Sequence, residues 1–163
     1  MTPHIEVCAA VVLDGSGLLL ATRAPHKDLA GQWELPGGKL QRQETLAECI
    51  SRELYEELRL HVEQASLFLT ILHHYAHKSV RLHFLYCRLK NKEPVPQEGQ
   101  KAARFANNEL PWKEMVEADR KVLEFLRAAK WRSHEQVDVK SEGELPTVLN
   151  LSLAERMHAW LNS

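Results

Sequence analysis

The tightest constraint on this chain is a spacing. Gly38 is followed by Glu44 and then, after seven more residues, by Arg52-Glu53-Leu54-Tyr55-Glu56-Glu57. Pro36-Gly37-Gly38 punctuates the chain as a turn. Thr45 with Glu48 three residues on forms a capping box. Leu46, Ile50 and Leu54 then recur every four residues, so a helix is expected over 45–59. Positions three and four apart share a helix face. Glu53, Glu56 and Glu57 therefore crowd one side of about one turn. Like charges so placed cost a few tenths of a kcal/mol per pair, a cost that a bound cation offsets. Oxygen-only ligands suit hard ions, Mg²⁺ first with Mn²⁺ as the alternative. Arg52 points elsewhere on the helix, within reach of Glu48, and can brace a ligand carboxylate from behind. A solvated acidic face is the rival explanation for a lone Glu-Glu pair. The full pattern would arise by chance only about once in ten million start sites at ~6% usage per residue.

Around this helix the chain is ordered as β-β-α-β-β-β-α plus a tail. Residues 4–13 are β-rich and meet Asp14-Gly15-Ser16-Gly17, so a hairpin with 18–23 is expected. A loop follows from Ala24 to Gln32, then a short extended piece at Trp33-Glu34-Leu35. Residues 66–75 and 79–89 predict a second hairpin broken at Ala76-His77-Lys78, with Val80, Leu82, Phe84 and Tyr86 on one face. Asn91 to Ala102 is a Pro-containing loop, Phe105 lies in a short strand, and 118–130 is a helix with Val122, Leu123, Leu126 and Ala129 as its stripe. The fold class is α/β in the mixed α+β sense, a central mixed sheet with helices on its faces. The domain division is 1–130 for the body and 131–163 for a C-terminal extension. That extension carries a short amphipathic helix over 152–161, capped by Ser152 and Glu155, with Leu153, Met157, Trp160 and Leu161 on one side.

With 163 residues the chain favours one domain plus a tail. Lys+Arg at 21 against Asp+Glu at 22 shows no basic stripe, so duplex nucleic acid is not an expected partner. No apolar run of membrane-spanning length and no signal peptide are visible, and a cytoplasmic place is the default. Cys8, Cys49 and Cys87 are far apart and odd in number, and are expected to be separate buried thiols in a reducing compartment. His73, His74, His77 and His83 look like a metal cluster, but neighbours on a strand point to opposite faces, which argues against a zinc site. Trp33 and Trp112 are expected as core or loop anchors rather than stacking plates.

Gly38, Glu44, Arg52, Glu53, Leu54, Glu56, Glu57 and Leu60 match the Nudix box. Arg59 departs from it, because the family has glycine there to close the helix with φ > 0. From about 4 to 127 the chain resembles the MutT-type Nudix hydrolases, similar to bacterial 8-oxo-dGTP diphosphatases. Thr22-Arg23, Leu29 to Lys39, Glu98-Gly99-Gln100 and Ala118-Asp119 sit where that subfamily has its own motifs. The resemblance implies the Nudix fold and a metal-dependent nucleoside triphosphate pyrophosphohydrolase, serving nucleotide-pool sanitation and mutation avoidance. Water would attack in line at the β-phosphorus, releasing a nucleoside monophosphate and pyrophosphate.

The family's roles fall on particular residues. Glu53, Glu56, Glu57, Glu98 and the Gly37 carbonyl would hold the metal. Glu53 would be the general base, Glu98 the second choice, and Arg52 their catalytic support. Arg23 and Lys39 would contact the phosphates, and Asp119 would read the base edge, where many relatives have Asn. The expected partner is a small-molecule nucleotide, with no membrane, on a monomer or homodimer. Two rivals remain. One is a Nudix enzyme acting on a modified pyrimidine triphosphate, a nucleotide sugar, a dinucleoside polyphosphate or a capped RNA 5′ end. The other is a catalytically silent nucleotide-binding module, which losses among the carboxylates would favour; none is seen.

Overall fold

The computed structural model describes residues 4–129 and 146–163. Strands β1 (His4–Val11), β2 (Leu13–Asp14), β3 (Gly17–Thr22), β4 (Trp33–Glu34) and β5 (Gly37–Lys39) precede helix α1 (Leu46–Leu58). Then come β6 (Val62–His74), β7 (Ser79–Leu89), β8 (Ala102–Phe105), a short 3₁₀ turn at Trp112–Glu114, α2 (Glu117–Ala128), β9 (Thr147–Val148) and α3 (Leu151–Leu161). β5, β1, β7, β6 and β9 form a mixed sheet in that order, in which β1 and β7 run parallel. β2, β3, β4 and β8 form a second sheet built on β3.

The expected first hairpin is only half right. β2 and β3 do pair, through Leu13–Leu18 and Asp14–Gly17. β1, however, leaves that partner at Val12 and pairs with β5 and β7 in the other sheet. A continuous apolar run cannot show such a crossing, because both of its halves are buried. Gly37-Gly38 also differs from the turn expected of it. It continues into β5, antiparallel to β1 with Cys8 opposite Gly38. The backbones come so close that a Cβ on Gly37 would collide with the Cys8 carbonyl oxygen. The second hairpin forms as expected from β6 and β7.

Two apolar layers cover the five-stranded sheet. On one face Ile50, Leu54 and Leu58 of α1 pack with Cys8, Ala10, Leu85 and Cys87. On the other, Val80, Leu82 and Phe84 of β7 meet Val122, Leu123 and Leu126 of α2 and Ala154, Met157 and Leu161 of α3, with Tyr86 partly buried against them. The alternation expected along β7 is thus the one the strand presents. Each fully buried large side chain contributes about 1.5–3 kcal/mol, enough to hold α1 against the sheet. The tail helix docks on the body through the second layer. Its cap is Asn150, which accepts from the Leu153 N–H at 3.2 Å, rather than Ser152. The helix begins one residue earlier than the pattern predicts, which moves Ser152 inside it. Residues 131–145 of the expected extension lie outside the described residues.

The three-thiol expectation fails. Cys8 and Cys49 are joined as a disulfide between β1 and α1, while Cys87 is free and buried, its thiol pushed up to about 12 by burial. A separation of 41 residues carries no hint of this pairing; it follows from laying α1 over β1. No described helix is long and apolar enough to cross a membrane.

Candidate active site

Helix α1 opens with the capping box expected of it. The Thr45 hydroxyl accepts from the Glu48 N–H at 3.1 Å, and the Glu48 carboxylate accepts from the Thr45 N–H at 3.0 Å. It closes on Arg59 at φ 56°, ψ 31°, in the left-handed conformation the family gives to glycine. The Arg59 guanidinium donates to the Tyr55 carbonyl at 3.0 Å and lies over the Tyr55 ring. Arg59→Gly and Arg59→Ala both lose those contacts, and only glycine relieves the backbone strain. Glycine is therefore expected to be the more stable of the two by about 1 kcal/mol, measured by urea unfolding. Equal midpoints would show that the cap carries no strain.

Arg52 occupies the middle of the box. Its Nε and Nη2 donate to the two Glu44 oxygens at 2.6 and 3.0 Å. Its Nη1 donates to Glu53 at 2.8 Å and to Glu56 at 3.3 Å, and its Nη2 reaches the Lys39 carbonyl at 3.1 Å. Glu48, the partner expected from spacing, is already committed to the cap. Glu44 accordingly lies below the ordinary carboxylate range, first because of the Arg52 hydrogen bond. The fork thus ties loop residue Glu44 and strand β5 to the helix, the bidentate geometry that Lys cannot supply.

The three helix carboxylates are not equivalent. Glu57 is 7% exposed as a residue, Glu53 is 14% exposed along its side chain, and Glu56 is 56% exposed along its own. Burial first, then the Glu53 charge, pushes Glu57 up to about 8; Glu34 and Glu98 add to the rise and Lys27 opposes it. Glu98, from the Pro-containing loop, is therefore in the same electrostatic neighbourhood. Gly38 makes room for this group, since a Cβ there would run into the Glu53 carboxylate. Among the described residues no three His, Cys, Asp or Glu side chains are already gathered in metal-holding geometry. Even so, the donors suit a hard divalent cation: oxygens only, one of them deeply buried in a field of like charge.

A second group lies beside the first. Asp119, in the first turn of α2, is 5% exposed and accepts from the Leu35 N–H at 2.9 Å. Burial, then the Glu34 charge, pushes it up to about 7. Arg23 donates to Glu34 at 3.0 Å and to the Asp28 carbonyl at 2.6 Å. Glu34 is raised by burial, with Arg23 and then Lys27 opposing. Lys39 is exposed on β5. Trp33 meets Phe105 edge-on at 4.9 Å, and Trp112 lies under Arg127, so both are anchors. His83 bonds Thr70 and Glu6, and His74 bonds Ser79.

Sequence reasoning missed Glu34, Lys27 and the role of Glu44. Glu34 and Glu44 stand inside recognisable motifs, but nothing in spacing tells a structural carboxylate from a liganding one. Lys27 has no sequence signal at all.

The NUDIX domain family matches residues 2–142. The chain belongs to that family. This Nudix domain is 33% identical over 96 residues to an 8-oxo-dGTP diphosphatase of Proteus vulgaris, covering 58% of this chain and 86% of that protein. It is 44% identical over 54 residues to a CTP pyrophosphohydrolase of Escherichia coli, covering 33% of this chain and 40% of that protein. The MutT NUDIX hydrolase of Burkholderia pseudomallei superposes with a TM-score of 0.65 at 28% identity, over 75% of this chain and 97% of that one. The chain is a Nudix hydrolase of mixed α/β fold.

Proposed function

We propose that this Nudix hydrolase is a divalent-metal-dependent nucleoside triphosphate pyrophosphohydrolase. It takes 8-oxo-dGTP or another (d)NTP to the monophosphate and pyrophosphate, and so cleans the nucleotide pool. The carrying observation is the buried Glu57 carboxylate beside Glu53 and within the field of Glu98, with the buried Asp119 sharing Glu34 as a charged neighbour.

Glu53, Glu56, Glu57, Glu98 and the Gly37 carbonyl hold the metal, Mg²⁺ in preference to Mn²⁺. Bound there, the cation neutralises phosphate charge and makes attacking water more acidic. Glu53 takes the proton of the attacking water, and Glu98 is the second choice for that role. Arg52 fixes Glu53 by their hydrogen bond. Arg23 and Lys39 contact the phosphates, and Asp119 reads the base edge. As an acceptor or, once protonated, a donor, its carboxyl suits a base edge bearing N–H groups. The body 1–130 carries the site, and the extension 131–163 supports it through α3. The protein acts as a monomer or homodimer in the cytoplasm, where its nucleotide is found. In that reducing compartment the Cys8–Cys49 pair is expected to be held as two thiols.

A pyrimidine triphosphate is the second reading, favoured by the relative named for CTP. A nucleotide screen with Mg²⁺, reading pyrophosphate against phosphate, separates them. Pyrophosphate from 8-oxo-dGTP at a kcat/KM well above that for CTP and dGTP is the expected result. Phosphate as the product, or no turnover of any triphosphate, would overturn the reading.

A further inference from the structure

We propose that Lys27 is a phosphate-binding residue of this hydrolase, parked on the Glu57 carboxylate until a divalent cation neutralises that group. The inference rests on the hydrolase reading above and adds a residue outside the Nudix box.

The loop that carries Lys27 is a built element. The Arg23 N–H donates to the Gln32 carbonyl at 2.9 Å, and the Gly31 N–H to the Arg23 carbonyl at 3.1 Å. Within it the Lys27 N–H donates to the Ala24 carbonyl at 3.0 Å and the Gln32 N–H to that of Leu29 at 3.1 Å. Leu29 is held at φ 59°, a conformation a leucine adopts only when its surroundings impose it. This frame lowers the Lys27 ammonium and the His26 ring toward two carboxylates on different elements. Lys27 Nζ stands 3.9 Å from Glu57 Oε1 of α1, and His26 Nε2 stands 4.0 Å from Glu98 Oε2.

The Lys27 contact is too long for a hydrogen bond, and its side chain is 37% exposed against 9% for that of Glu57. The ammonium is thus a mobile point charge on a flexible stem resting on a fixed, buried carboxyl group. Its charge is felt by Glu34 as well as by Glu57. Glu34 is bonded to Arg23 and acts on Asp119, on the base side; Glu57 belongs to the metal side. Lys27 therefore stands between the two groups that a nucleoside triphosphate must span, which is where its phosphate chain has to lie. A divalent cation outcompetes one ammonium for Glu57, and the released ammonium then has phosphate oxygens beside it, a usual lysine partner.

The test uses Lys27→Gln and Lys27→Arg in the full chain. Without nucleotide, Mn²⁺ titration followed by electron paramagnetic resonance is expected to show Lys27→Gln binding about three- to tenfold tighter, since a competing cation is gone. With nucleotide, Lys27→Gln is expected to raise KM for the triphosphate about tenfold and to leave kcat within about threefold, the signature of lost uniform binding. Inhibition by the nucleoside monophosphate, which lacks the outer phosphates, stays within about twofold, and Lys27→Arg restores KM. Unchanged Mn²⁺ affinity together with unchanged KM overturns the proposal. So does monophosphate binding weakened as much as that of the triphosphate. If the wild type turns over no triphosphate, the hydrolase reading fails by itself. The Mn²⁺ titration and equilibrium binding of triphosphate against monophosphate then still decide the role of Lys27.

Discussion

Glu53→Gln is expected to lower kcat by about a hundred- to ten-thousandfold at saturating Mg²⁺, the range a lost general base costs. The substitution keeps side-chain volume, and its amide oxygen can still accept the Arg52 hydrogen bond now made at 2.8 Å. What it removes is the negative charge and the basic oxygen. Glu53 lies against Gly38 and is 14% exposed, so solvent cannot replace it as it could an exposed acid. Glu56, at 56% exposed, provides the contrast: Glu56→Gln is expected to lose about tenfold less, because water partly supplies what its carboxylate does. Steady-state kinetics over a Mg²⁺ series check both. A Glu53→Gln enzyme with near wild-type kcat would remove Glu53 as the base and move the role to Glu98.

The box is legible in the sequence because its parts are local. Capping residues three apart and carboxylates three and four apart act within one helix, so spacing alone predicts their relation. Arg59 is legible too: the departure from glycine predicts either a strained cap or a different ending, and the cap is left-handed. What stays hidden is what tertiary contact decides. The crossing of β1 from one sheet to the other leaves every residue of an apolar run apolar. Cys8 and Cys49 meet only because α1 lies over β1. Four-residue spacing points Arg52 at Glu48. Glu44 wins because the loop before the helix folds back beneath the guanidinium, while the cap occupies Glu48. Glu53, Glu56 and Glu57 look equivalent on a helical wheel, and burial separates them. Lys27 requires the loop's path across the site, which no pattern in residues 24–32 encodes.

Asp119→Asn is expected to make the protein more stable at pH 8 and to leave it nearly unchanged at pH 4. Asp119 is pushed up to about 7 by burial and by Glu34, from an ordinary 3.8. Between those values the folded state holds a proton that the unfolded chain has given up, so folding stability falls as pH rises through the window. Below it the carboxyl is protonated in both states and no penalty exists. Above it the penalty is complete, on the order of a few kcal/mol for a fully buried group. Asparagine has no proton to lose, yet its amide oxygen can accept from the Leu35 N–H as Asp119 does at 2.9 Å. Thermal melts of both proteins should therefore diverge between pH 4 and pH 7, with the variant ahead by about 5 °C or more at pH 8. The same substitution tests base reading. A protonated Asp119 both donates and accepts, whereas the carboxylate only accepts, so the wild-type ratio of kcat/KM between two purine triphosphates should change across pH 7. In Asp119→Asn that ratio should be flat. A melting difference that does not vary with pH would show that Asp119 is ionised throughout, and a wild-type ratio that does not vary would place base reading on another residue.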